Sequence, residues 1–147
     1  MRTITSTTVI DAPLTDVWEV LSDGARYEEW NPFITSVSCA FQRDARPTLR
    51  IAAPGKRAMT FRPRITDASA ERGLRWKGHL IVRGLCDAVH EIVLTSETPR
   101  RTRVTQRETF RGALMPALGG MLEPTRQGFD AMHEALRQRV QSRAGRA

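Results

Sequence analysis

Between Val37 and Arg111 apolar residues recur at every second position, and after Gly112 they recur at every third or fourth. Few chains this short can satisfy both periods except by pairing a sheet with a helix. Val37, Cys39 and Phe41 alternate with polar neighbours, as do Leu49, Ile51 and Ala53, then Met59, Phe61 and Ile65. The runs at Leu74 and Trp76, at Ile92 and Leu94, and at Val104 and Phe110 continue the pattern. Such alternation describes strands with one buried and one wet face, which favours antiparallel pairing. Turn chemistry separates the runs at Arg43-Asp44, Pro54-Gly55, Asp67 to Arg72, Arg83-Gly84 and Thr98-Pro99.

Upstream, Thr3 to Ile10 is rich in Thr, Ile and Val and reads as a further strand. Thr15 is placed to cap a short helix with Val17, Trp18 and Leu21 on its buried stripe. Ala25 to Trp30 forms another turn or two before Asn31-Pro32 ends it. Downstream, Leu118, Met121, Leu122, Thr125, Phe129, Met132, Leu136 and Val140 mark one amphipathic helix from Pro116 to Ser142. Gly119-Gly120 and Pro124 weaken its first third, and Gly145 to Ala147 fray. The expected architecture is α+β. Residues 1–147 form a single domain with a seven-stranded curled antiparallel sheet, two short helices between strands 1 and 2, and one long C-terminal helix. A curled sheet closed by one helix leaves an internal cavity.

Composition removes several functions. No stretch approaches the length of a membrane-spanning helix, and Met1 to Thr8 lacks the apolar core of a secretory signal. Two cysteines, Cys39 and Cys86, cannot make a disulfide framework or a four-cysteine zinc site, and free thiols in a cytoplasmic protein are expected. His90, His79 and Glu108 lack metal-ligand spacing, so neither metal nor other cofactor is expected. The 23 Lys and Arg exceed 16 Asp and Glu, giving a net charge of +7. Arg50, Arg62, Arg64, Arg75, Lys77, Arg107 and Arg111 fall on the outward parity. Arg137, Arg139, Arg143 and Arg146 crowd the end of the last helix with no acid after Glu134. No nucleic-acid motif accompanies this charge. It suits a solvated exterior or attraction of an acidic partner such as an acyl carrier protein.

Parity also marks polar residues on the wrong face. If residues 97 and 101 flank the Thr98-Pro99 turn, Leu94 opposes Val104, Ile92 opposes Gln106 and His90 opposes Glu108. His90, Gln106 and Glu108 then face inward and the His90–Glu108 pair are cross-strand neighbours. A buried carboxylate needs a partner, and an imidazole supplies one. The pair can serve as a general acid/base or simply satisfy itself, and Gln106 can anchor a ligand oxygen or a backbone group. Trp76 shares the inward parity, with Met59, Phe61 and Phe110. Trp30 and Asn31 lie in the loop near one end of the expected cavity, where an indole can stack on a flat ligand; Asn31 can equally form the turn. Phe129 and Met132 lie on the helix stripe as pocket wall or plain core. His79 falls outward, and His133 falls at the helix edge.

Several strings resemble the START-like, or helix-grip, superfamily of birch-pollen-allergen type, most of all its polyketide cyclase/dehydrase branch. They are Ile10 to Pro13 with Val17-Trp18, Tyr27 to Phe33, Leu74 to Gly78, His90 to Ile92, Thr105 to Gly112, and Phe129 to Leu136. The resemblance implies a deep apolar pocket that binds a hydrophobic, cyclic or aromatic small molecule, or a lipid. Two readings follow. One is a cyclase/dehydratase-like enzyme with His90 and Glu108 as acid/base and Gln106, Asn31, Trp30 and Trp76 as orienters. The other is a non-catalytic carrier, sensor or sequestering resistance protein, monomeric or homodimeric. Fold does not choose between them.

Overall fold

The computed structural model describes residues 1–80 and 82–145; Arg146 and Ala147, part of the expected frayed end, lie outside the described residues. The chain forms β1 (Arg2–Ile10), α1 (Leu14–Ser22), a 3-10 helix (Gly24–Glu29), β2 (Ile34–Val37), β3 (Leu49–Ile51) and β4 (Met59–Phe61). There follow β5 (Arg64–Ser69), β6 (Gly73–His79), β7 (Asp87–Thr98), β8 (Arg101–Arg111), a 3-10 turn (Met115–Leu118) and α2 (Gly119–Ala144). The mixed α+β, helix-grip arrangement is the expected one, with a different strand count.

The strands form two antiparallel sheets, β1-β8-β7-β6-β5 and β2-β3-β4. An eighth strand arises because the run Met59 to Thr66 divides at Pro63, which has no N–H to donate to a ladder. The run Val37 to Phe41 also stops early. β2 ends at Val37, leaving Cys39 exposed and Phe41 buried from a loop position. Backbone bonds from Asp44 N to Ile65 O and from Ile65 N to Ala45 O fasten that loop to β5.

β7 and β8 form the longest ribbon, pairing Leu94 with Val104, Ile92 with Gln106 and His90 with Glu108. The register is the one the hydrophobic parity defends. It slips only at Glu97, where a bulge makes Thr98 rather than residue 97 the partner of Arg101. Trp76 on β6 pairs with His90, which brings three polar or aromatic side chains into one row.

α1 starts at Leu14, after Pro13, with no side-chain cap, so Thr15 does not cap it. Its buried residues are Val17, Val20 and Leu21, and Trp18 is only half-buried. α2 divides its work along its length. Phe129, Met132, Leu136 and Val140 are sealed against the sheet, each contributing roughly 1.5–3 kcal/mol by burial. The start, through Leu122 and Thr125, borders a cavity. Pro124 sits inside the helix, and the expected weak start is realised as the 3-10 turn before Gly119. At Gly128 the helix backbone meets Phe33; a Cβ there would lie 2.3 Å from the Phe33 ring.

Half of the described basic residues are paired with carboxylates, several of them across elements. Arg75 and Arg107 flank Glu91 on the outer sheet face. Arg137 pairs with Glu134, Arg139 with Glu29, and Arg143 with Glu19. Arg139 and Arg143 at the end of α2 thus find their acids on the 3-10 helix and α1, and Arg137 finds its own one turn back on α2.

Candidate functional site

A cavity of about 390 Å³ lies between the two sheets and the first turns of α2, a size suited to a small organic ligand. Its wall is mostly apolar. Leu49, Ile51, Met59 and Phe61 come from β3 and β4, Trp76 from β6, and Phe110 from β8. Leu114, Leu118, Met121 and Leu122 close it from the α2 side. Among the lining residues Glu108 is the only carboxylate, and His90 stands beside it.

Cross-strand pairing places His90 Nδ1 3.5 Å from Glu108 Oε2. The two differ in access: the His90 side chain is 3% exposed and that of Glu108 17%. His90 is held on several sides. Its ring stacks on Trp76 with centroids 4.3 Å apart and planes 1° from parallel, and it meets Phe129 edge-on at 5.3 Å. Gln106 Nε2 lies 3.1 Å from His90 Nε2. An amide nitrogen only donates, so in this contact His90 Nε2 accepts and its Nδ1–H is directed toward Glu108.

The expected site residues therefore separate. Met59, Phe61, Trp76, His90, Glu108 and Phe110 share the cavity wall. Trp30, Asn31, Gln106, Phe129 and Met132 do not line it. Trp30 packs edge-on against Tyr27. Asn31 is buried, and its Oδ1 accepts bonds from Phe33 N at 3.0 Å and Ile34 N at 2.9 Å, so it shapes the turn into β2. Gln106 is fully buried behind His90, its Nε2 also 3.7 Å from Met132 Sδ. Phe129 and Met132 are sealed core. Trp76 borders the cavity, and its ring stacks on His90 and lies parallel to Phe41 with centroids 5.9 Å apart.

Other lining residues escape strand parity. Arg62 counts as outward yet reaches the cavity, because the chain breaks step at Pro63. Arg57 reaches it from the turn after Pro54-Gly55, a position on which periodicity is silent. His79 is exposed and sits at the rim.

A second polar cluster lies away from the cavity. His133 is buried rather than at the helix edge, since β1 packs over that side of α2. Its Nδ1 is 3.2 Å from Ser6 Oγ, and Ser6 Oγ donates to Asp130 Oδ1 at 2.5 Å. Burial pulls the His133 pKa down to about 4; Asp130 opposes that shift, and Arg137 and His90 add to it. The Cys86 thiol is pushed up by burial first and then by Glu108 and Asp87, the opposite of what a nucleophilic cysteine needs. Among the described residues no group of three or more His, Cys, Asp or Glu could hold a metal ion, and no helix is long and apolar enough to cross a membrane.

Residues 1–144 match the profile of a family described as polyketide cyclase/dehydrase and lipid transport. No curated protein matches the chain. Solved structures share its fold. A START superfamily protein from Mycobacterium smegmatis is 17% identical, with a TM-score of 0.72 over 95% of this chain and 97% of that one. The Zhui aromatase/cyclase from Streptomyces sp. R1128 is 22% identical, with a TM-score of 0.64 over 97% and 95%. DynU16, from the dynemicin biosynthetic locus, is 17% identical with a TM-score of 0.69; the match covers 95% of this chain and 47% of DynU16, about half its length. At these identities the likeness is one of fold.

Proposed function

The chain belongs to the polyketide cyclase/dehydrase and lipid transport family, and we propose that it binds a hydrophobic, cyclic or aromatic small molecule in its cavity and moves a proton on it through Glu108. The observation that carries this reading is a single lining carboxylate, partly accessible, on a mostly apolar wall. A carboxylate in such a place is costly unless it is paired, and His90 pairs it from behind.

The two residues take unequal parts. Glu108 faces the ligand. His90 has its Nε2 committed to Gln106 and one face to Trp76, so it acts as a positioning residue that turns its Nδ1–H toward the carboxylate. In a cyclase/dehydratase-like step, Glu108 removes a proton from a carbon beside a ligand carbonyl, leaving an enolate. The protonated Glu108 then gives that proton to a departing hydroxyl, which leaves as water, and the carboxylate is restored. The apolar wall keeps bulk water from competing for the proton.

The shielding of His90 supports a second reading, a carrier or sequestering protein in which the pair is structural. Native mass spectrometry of the purified protein identifies the small molecule that co-purifies. That molecule is then returned to the wild type and to Glu108→Gln in deuterated water. Deuterium entering carbon positions with the wild type but not with Glu108→Gln, at similar affinity, is the expected result. No exchange with either protein would leave carriage as the function.

A further inference from the structure

Half of the described Lys and Arg side chains pair with a carboxylate; the two arginines that line the cavity do not. Arg57 and Arg62 both line the cavity and are exposed, and neither has a carboxylate partner among the described residues. They flank β4, one just before it and one just after. By contrast, Arg64, two residues beyond Arg62, is paired with Asp44, and arginines on the outer sheet face and along α2 take Glu91, Glu123, Glu134, Glu29 and Glu19. The cavity side of α2 offers no acid from Met115 to Leu122.

The interior has the opposite sign. Its lining carboxylate, Glu108, lies on the β8 wall beside His90. An anionic group placed there would face a like charge in a low-dielectric wall, which is unfavourable. The same group at the mouth would meet two free guanidinium forks, which suit planar or tetrahedral oxyanions.

We infer that the ligand is an amphipathic organic anion, bound with its apolar body against Phe61 and Phe110 and its carboxylate or sulfonate-like end held at the mouth by Arg57 and Arg62. The inference rests on the cavity being the ligand site. It adds polarity and orientation: the neutral, carbonyl-bearing end points at Glu108, and the charged end remains at the rim. A neutral sterol-like or hydrocarbon ligand would leave both arginines idle.

Two fluorescent probes separate these claims. N-phenylnaphthylamine is neutral, and anilinonaphthalene sulfonate is the same ring system with an added sulfonate. Both should bind and displace one another. The sulfonate should bind at least about fivefold more tightly at low salt, the scale of an exposed ion pair, with the preference fading as ionic strength rises. Arg57→Gln and Arg62→Gln, both at exposed positions, should reduce that preference and together remove it, leaving the neutral probe's affinity unchanged. Arg100→Gln, at an exposed arginine on the far β7–β8 turn, controls for net charge and should change nothing. Equal affinity for the two probes in the wild type, a preference that survives the double variant, or an equal loss in Arg100→Gln would each overturn the anion site while leaving the cavity as a ligand site. Failure of both probes to bind would remove the cavity reading itself, and the anion site with it.

Discussion

Gly128→Ala links the packing of α2 to the size of the cavity. The new Cβ would sit 2.3 Å from Phe33 Cδ2 and 2.6 Å from Cε2. Restoring an ordinary contact of about 3.4 Å requires the Phe33 ring to move by about 1 Å. Phe33 is buried at 3% exposure and rests edge-on against Phe129, but it also lines the cavity, so the open side is where the ring can go. Two energies compete. Replacing glycine inside a helix gains about 1 kcal/mol, whereas overpacking a core costs about 1–3 kcal/mol. In the wild-type background the substitution should therefore be neutral to destabilising by up to about 2 kcal/mol. With Phe33→Ala the obstructing ring atoms are gone, and the same substitution should stabilise by about 1 kcal/mol. Urea denaturation of the four proteins closes a double-mutant cycle with an expected coupling of at least about 1 kcal/mol. The displaced ring should also weaken binding of the neutral N-phenylnaphthylamine probe. An equal gain of about 1 kcal/mol in both backgrounds, with unaltered probe affinity, would refute the contact and the route of the ring.

Two further outcomes test the buried polar groups. The His133 pKa falls from 6.5 to about 4 on folding, so below pH 6.5 the unfolded chain binds a proton that the folded chain refuses. Stability should decline as pH falls from 6.5 toward 4, by about 3 kcal/mol from this group. His133→Gln should flatten that part of the urea-stability curve, and parallel curves for the two proteins would disprove the linkage. Asn31→Ala leaves the Phe33 and Ile34 amides without their acceptor and should cost about 2–4 kcal/mol; a loss below about 0.5 kcal/mol would show that the turn does not depend on that side chain.

The longest ribbon was the most legible part of the chain. Ile92, Leu94, Val104 and Phe110 carry one parity across a short turn, and a one-residue slip would expose them all, so the inward parity of His90 and Glu108 follows from residue type, while their standing directly opposite rather than diagonal depends also on where the turn falls. Legibility ended where backbone geometry breaks periodicity. Pro63 splits a strand, so the outward label on Arg62 fails at the cavity. His133 lies beside Met132 on the helix, and only the docking of β1 decides that its side of α2 is buried. Asn31 and Trp30 sit in a loop whose distance from the cavity depends on the 3-10 helix before it. Gln106 was placed inward from parity, but nothing in sequence shows that His90 would occupy its amide.

The break at Pro63 also separates two kinds of residue by hydrogen-bond ladder. Glu108, His90 and Gln106 ride on the five-stranded sheet, in a register fixed by neighbours on both sides. Arg57 and Arg62 bracket a three-residue strand of the smaller sheet, which pairs with β3 alone. Substitutions around β4 can therefore change which molecule is admitted without disturbing the row that holds the carboxylate.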